Sequence, residues 1–404
     1  MRADGERLGR RIAELARIGG RGTAVTRLGL GAEEQAARDL VGGWLRERGA
    51  SVRRDGAANL WARVGPADGP AVAVGSHLDS VPEGGRFDGA LGVLCAVEAV
   101  ETLLDAGTRL RRAIEVVAWS DEEGVRFGIG LFGSAAAFGR LPPRAAERRD
   151  PGGVSIAEAL RGLGEPGDPG SARVAPAALA AYLEPHIEQG PRLDRAGIPL
   201  GVVSAIVGIL HGRMTVRGRQ DHAGATAMDA RQDALLGAAE LALALERAAR
   251  ADGEAVGTVG EIAARPGAKN VVPGECVFSI DVRAPDDGRL DAVLAELDRA
   301  TSAVAASRGL SASLDVLNRV PATPLDAPLR ALLARACGAV GVSAPELVSG
   351  AGHDAMNAQL AGVPTGMVFI RSRGGSHNPR EDCSLEDAAL GASALAVALA
   401  ELAG

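Results

Sequence analysis

Between Ala71 and Trp119 the chain passes from an apolar run, AVAV, through a glycine-punctuated loop into ALGVLCAVEAVETLLDAG, and out again to AIEVVAW. The middle segment is apolar on every side, so as a helix it has no face to turn to water and must be buried. Strands alternating with helices in this way predict a largely parallel sheet covered on both faces. Leu8, Ile12 and Leu15 share one helical face, EEQAARDLVGGWLRERG reads as a helix ended by Gly49, and NLWARV reads as a strand. Ligands of such sheets bind beyond the carboxyl ends of the strands.

From about Gly208 the pattern changes. HGRMTVRG, AVGTVGEIAAR, CVFSIDVRA and LSASLDVLNRV read as strands, and RQDALLGAAELALALERAARADG and GRLDAVLAELDRATSAVAASRG as long helices. Their order, βαββαβ, is that of a self-contained ferredoxin-like unit. Alternation returns after Pro321, with a helix around LRALLARACGAVG, a strand at GMVFI and a closing Ala/Leu helix. The expected fold is therefore α/β: a mixed, mostly parallel sheet flanked by helices, formed by residues 1–207 and 320–404, with residues 208–319 inserted as a second domain. A length of 404 residues suits two cores, and with aromatics at 2% those cores must be built from Ala, Val and Leu. Residues 139–181, rich in Gly, Pro and Ala, read as a loop-rich excursion with one or two short helices.

A formal net charge of −7 and the lack of a long Lys/Arg cluster argue against nucleic acid or an anionic membrane as partner, and leave small molecules. Nowhere do about eighteen apolar residues run together, and the first twenty residues lack an apolar signal core. The four cysteines are far apart, with no C-x-x-C spacing, as expected of reduced thiols. A cytoplasmic protein is expected.

The chemistry-bearing residues gather where strands end. His77, Asp79 and Asp88 follow AVAV, Glu122 and Glu123 follow AIEVVAW, His377 follows GMVFI, and His186 lies in EPHIEQGP. Imidazole and carboxylate oxygen together suit zinc and its divalent neighbours. Adjacent side chains on a strand or turn point in different directions, so one of Glu122 and Glu123 can hold a metal while the other faces a reacting water. Standing alone, the same pair reads rather as two solvated acids on a surface turn, and it is the neighbouring candidate ligands that reverse the reading.

GSHLDSVPEGGRFDGALGV, DEEGVRFG, HIEQGP, DHAGATAMDARQDA, KNVVPGECVFSIDVRAPDD, GAGHDA and GGSHNP, in chain order, closely resemble the hydantoinase/carbamoylase-type amidases. That group includes N-carbamoyl-L-amino-acid hydrolases, β-ureidopropionases and allantoate amidohydrolases, within the wider aminoacylase and carboxypeptidase superfamily of dimetal hydrolases. The resemblance implies a dimetal peptidase-like catalytic domain holding two divalent ions, zinc, manganese, cobalt or nickel. His77 and Glu123 would serve different ions, with His186 completing one and His377 the other, and Asp88 bridging both. Asp79 would orient His77, and Glu122 would act as general base. Gln189, His222, Asn270 and Arg283 would bind substrate: His222 at the oxyanion, Arg283 and Asn270 at a carboxylate, Gln189 at the ureido or amide portion. The inserted domain would be a lid and would pair in a homodimer.

The activity implied is hydrolysis of the C–N bond of an N-carbamoyl (ureido) carboxylate, an N-carbamoyl-L-amino acid first. Allantoate or another ureide, an N-acyl amino acid or dipeptide, and a non-catalytic binding role are the alternatives. Three departures stand out: Ala227 where relatives often carry Pro, His211 in a shortened segment before His222, and Arg371 and Arg373 near His377, which favour a second acidic group on the substrate. His353 and Asp354 are expected to support the pocket from behind.

Overall fold

The computed structural model describes residues 1–404, which divide into two units. The larger comprises residues 1–204, 325–347 and 352–404. The strand Ala71–His77 lies at the centre of its sheet, buried at every position. It runs parallel to Ile114–Trp119 on one side and to Leu179–Ile187 on the other, and Leu179–Ile187 is in turn parallel to Thr365–Ile370. Antiparallel strands close the edges: Leu60–Val64 and then Ser51–Arg54 on one side, and Leu200 to Val202 on the other. The sheet is mixed, with a parallel centre. His77 sits beside Trp119, and His186 beside Phe369, so four parallel strands release their chains at one edge of the sheet.

The expected buried helix is Ala90–Asp105, with every residue from Ala90 to Leu103 buried. It packs against the helices Gly5–Leu15 and Leu385–Ala403. Its two buried acids are matched by arginines of the first helix. Glu98 receives Arg7 through two nitrogens, each at 2.7 Å, and Glu101 receives Arg11 at 2.7 and 2.8 Å, the fork geometry that best offsets desolvation. Gly92 lets this helix lie on the sheet: a Cβ there would stand 2.0 Å from the Pro185 carbonyl oxygen.

Leu179–Ile187 had no counterpart in the sequence reading, because Glu184, Pro185 and His186 interrupt its apolar pattern and proline is rarely central in a sheet. Its register accommodates the proline. Tyr182 and Glu188 donate to Pro364 and Ile370, so the even-numbered amides face Thr365–Ile370. Pro185 has its missing N–H on the other side, past Leu183, where pairing with Ala71–His77 has ended.

The smaller unit comprises residues 205–324 and 348–351. Gly208–Arg217, Glu275–Ala284 and Ser311–Val320 form an antiparallel sheet, and the helices Ala234–Asp252 and Asp287–Arg308 cover one face. Alternate residues of Glu275–Ala284, from Cys276 to Ala284, are buried against them, the period-2 pattern of a half-covered sheet. AVGTVGEIAAR, read as one strand, is two: Val256–Thr258 and Ile262–Arg265. The break falls where the amides of Gly260 and Glu261 both donate to the Ser279 hydroxyl. All four cysteines are buried and free. No helix is long and apolar enough to cross a membrane.

Gly92→Ala is expected to destabilise the large unit by about 1–3 kcal/mol through overpacking against backbone, read as a lower midpoint of thermal unfolding. An unchanged midpoint would mean that the helix can move off the sheet at no cost.

Candidate metal centre

The turn after Ile114–Trp119 is held by its own backbone. The amides of Ser120, Asp121, Glu122 and Glu123 all donate to side chains: to Asn59 Oδ1 at 2.9 Å, Glu34 Oε1 at 3.1 Å, Asp79 Oδ1 at 3.0 Å and Asp79 Oδ2 at 3.1 Å. With its amides drawn back, the turn projects the Glu122 and Glu123 carboxylates beyond the strand ends. Asp79 also lies 3.3 Å from His77 Nδ1, whose other contact is the Asp79 carbonyl at 3.2 Å. His77 Nε2 is thereby aimed the opposite way, 3.7 Å from Glu122 Oε2.

Asp88 stands between three imidazoles. Its Oδ1 is 3.3 Å from His186 Nε2, and its Oδ2 is 3.3 Å from His377 Nε2, which is equally 3.3 Å from Glu123 Oε2. The His186 Nδ1–H donates to the Ile187 carbonyl at 2.8 Å, leaving Nε2 with its lone pair free to act as a ligand. Two groups of donor atoms result, each lying within 4.8 Å: His77, Asp88 and His186, and Asp88, Glu123 and His377. Asp88 belongs to both. Gly89 makes the approach possible, since at its φ of +61° a Cβ would meet the His77 ring at 2.3 Å.

Burial lifts the Glu122 carboxyl well above the ordinary range, with His77 opposing the rise and Glu123 adding to it. Burial likewise raises Glu123, to about 7, and lowers His186, to about 4. For His77 burial is outweighed by Glu122, Asp79 and Glu123, which raise it well above the usual imidazole value. Asp88 is held far below the carboxylate range: burial opposes ionisation, but the contacts with His377, His186, His77 and Ser376 prevail. A set of nitrogen and oxygen donors with a shared carboxylate suits two divalent cations. Glu123 Oε1, buried and without a hydrogen-bond partner, is a donor atom of the kind such an ion would use.

Gln189, expected at the substrate, directs its side-chain amide at both Asp88 oxygens, at 3.0 and 2.9 Å. His353 is buried with its ring edge-on to His186, 4.5 Å between centroids. Arg371 and Arg373 pair with the chain's own acids, Asp387 and Asp194. Ser376 and Glu381 drew no role in the sequence reading. The Ser376 hydroxyl lies 2.7 Å from Asp88 Oδ2 and 2.6 Å from Glu381 Oε2, and Glu381 Oε1 accepts the amides of Phe87 and Asp88. The only sign of Glu381 in the sequence was its place four residues after His377.

The remaining expected residues lie on the smaller unit and fall into two places. His222 and Asn270 are neighbours, with Asp221–His222 paired to Val271–Val272 and the Ala223 amide donating to the Asn270 carbonyl. Arg283 is at the far end of Glu275–Ala284, in ion pair with Asp281 at 3.0 Å and donating to the Gly350 carbonyl. The eight steps of extended strand from Glu275 to Arg283 span roughly 26 Å.

Residues 73–401 match the model of Peptidase family M20/M25/M40. The chain belongs to this family. Within it, the sequence is 42% identical over 399 residues to the N-carbamoyl-L-amino acid amidohydrolase of Geobacillus stearothermophilus, covering 97% of each chain. It is 36% identical to the allantoate deiminase of Arabidopsis thaliana, over 96% of this chain and 80% of that protein. The crystal structure of a hydantoinase/carbamoylase family amidase from Burkholderia ambifaria superposes with a TM-score of 0.92 at 39% identity, covering 100% of this chain and 98% of that one. The protein is thus a hydantoinase/carbamoylase family amidase, an amidohydrolase acting on carbon–nitrogen bonds other than peptide bonds.

For this amidase, Asp88→Ala is expected to abolish binding of both ions in metal analysis of the purified protein, and His377→Ala to remove one. Two ions retained by Asp88→Ala would show that the groups do not share that carboxylate.

Proposed function

We propose that this amidase hydrolyses the carbamoyl C–N bond of an N-carbamoyl-L-amino acid, releasing the amino acid, ammonia and carbon dioxide. The observation that carries the reading is the pair of donor groups meeting at Asp88 with a further carboxylate, Glu122, beside them and in neither group. The 42% identity to an N-carbamoyl-L-amino acid amidohydrolase over nearly the whole chain supports the choice of substrate.

In this reading His77, Asp88 and His186 hold one divalent ion, and Asp88, Glu123 and His377 the other. When bound, such a pair lowers the pKa of a water and polarises a carbonyl. Asp79 keeps His77 in the tautomer that leaves Nε2 unprotonated. Glu122, 3.7 Å from His77 Nε2 and outside both donor groups, takes the proton of the attacking water and passes it to the leaving nitrogen. His222 donates to the developing oxyanion, the Arg283 fork holds the substrate carboxylate with Asn270, and Gln189 turns to the ureido group.

His222 and Asn270 lie at one end of the small unit and Arg283 at the other, so a site using all three draws them from two subunits. We therefore propose a homodimer formed through the small unit. Leu236 and Leu243, two turns apart on Ala234–Asp252, and Val256 and Ile262 on the neighbouring strands are exposed, as suits a face covered by a second copy.

Ammonia release from N-carbamoyl-L-amino acids, allantoate and N-acetyl-L-amino acids, with defined metals, tests the reading. The carbamoyl substrates are expected to give the highest kcat/KM, and faster turnover of allantoate would move the assignment to that ureide. Glu122→Gln should lower kcat by about 10²–10⁴ with both ions retained, and an unchanged kcat would remove its role. Arg283→Ala should act mainly through KM, and an equal loss with a substrate lacking the carboxylate would contradict the anchor.

A further inference from the structure

The turn that carries Glu122 and Glu123 is gripped by groups outside the donor set, and we propose that Glu34, Arg38 and Asn59 are positioning residues for these two carboxylates. The proposal rests on the reading above, in which Glu122 moves the proton and Glu123 holds an ion.

Glu34 and Arg38 lie one turn apart on the helix Ala32–Glu47, and their side chains are wholly buried, 2.8 Å from each other. They hold the turn at two consecutive residues. Glu34 Oε1 accepts the Asp121 amide at 3.1 Å, and Arg38 Nη1 donates to the Ser120 hydroxyl at 2.8 Å. Glu34 Oε2 accepts the Leu30 amide at 2.7 Å, which fixes the carboxylate plane. Asn59 Oδ1 takes the Ser120 amide, while its Nδ2 donates to Asp55 Oδ2 and the Gly133 carbonyl, each at 3.0 Å. Asp79 completes the row at Glu122 and Glu123.

The backbone needs this grip. Asp121 adopts a φ of +50°, a left-handed conformation that non-glycine residues hold only when their surroundings impose it. Four successive amides, those of Ser120 and Asp121 buried and those of Glu122 and Glu123 partly so, would otherwise lose their acceptors. Released from Glu34 and Asn59, the turn relaxes toward an ordinary conformation and carries Glu122 and Glu123 with it. A displacement of about 1 Å at a reacting group can cost on the order of 100-fold in rate. Stability alone is a weak reason for such a pair, because apolar replacements of similar volume are often no less stable than a buried ion pair.

That last point supplies the test, on the full-length chain. Glu34→Leu/Arg38→Met removes both charges and the acceptor, while Glu34→Gln/Arg38→Met removes the charges and keeps an oxygen for the Asp121 amide. The first is expected to fold, to show faster hydrogen exchange in a peptide spanning residues 120–123, and to bind one of two titrated zinc ions about 10- to 100-fold more weakly. At saturating metal its kcat should fall by about 100-fold with KM little changed. The second is expected to recover most of the metal affinity and kcat. A folded Glu34→Leu/Arg38→Met protein with wild-type exchange and wild-type affinity for both ions overturns the proposal. Should that variant not fold, Asn59→Ala decides by the same two readouts: faster exchange and weaker binding support the proposal, and no change in either overturns it. Exchange and metal affinity need no substrate, so they judge the positioning role even where the wild type turns over no ureide, an outcome that would count against the proposed function alone.

Discussion

Charge repulsion is the constraint that the large unit is built to contain. Asp79, Asp88, Glu122, Glu123 and Glu381 meet at the carboxyl ends of four parallel strands, in a region where burial alone raises carboxyl groups such as Glu122 and Glu123. Three of these acids have specific partners. Asp79 takes two amides of the 120–123 turn, Glu381 takes two amides of the Asp88 loop, and Asp88 faces three imidazoles. Glu34, one layer further out, is answered by Arg38. Backbone amides do most of this work because they are fixed dipoles that need no counter-charge of their own. The donor groups that meet at Asp88 leave room for positive charge from bound cations, and Asp88 belongs to both groups.

The convergence of these acids follows from the sheet. A parallel centre brings strand ends from residues 77, 119, 187 and 370 to one edge, so residues scattered over three hundred positions become neighbours. Much of this was legible in the sequence. The all-apolar helix at Ala90–Asp105 forced a buried crossover, and His77, Glu123 and His377 announced themselves by following apolar runs. The strand carrying His186 was not legible, since Pro185 and two ionisable neighbours disguise it and its register resolves the conflict only in three dimensions. Glu34, Asn59 and Glu381 were silent for another reason. They act on backbone amides far away in the chain, and no local periodicity marks a residue whose partner is a remote turn.

The smaller unit follows different rules. Its sheet is antiparallel, covered on one side, and legible from alternation alone except at Gly260 and Glu261, where the Ser279 hydroxyl interrupts one expected strand. Its polar residues are placed by strand ends, His222 and Asn270 at one and Arg283 at the other. That separation is a property of the strand's length, and it motivates the proposal that two subunits contribute to one site. Identity to carbamoyl amidohydrolases and to allantoate deiminases alike fits a shared centre for the chemistry, with substrate choice left to groups that hold the rest of the molecule.

Anomalous diffraction from crystals of the metal-loaded protein, collected at the absorption edge of the bound ion, bears most directly on the centre. Two peaks flanking the Asp88 carboxylate, about 3.5–4 Å apart, are expected, one beside His77 and His186 and the other beside Glu123 and His377. A single peak, or peaks away from Asp88, would contradict a centre built around one shared carboxylate.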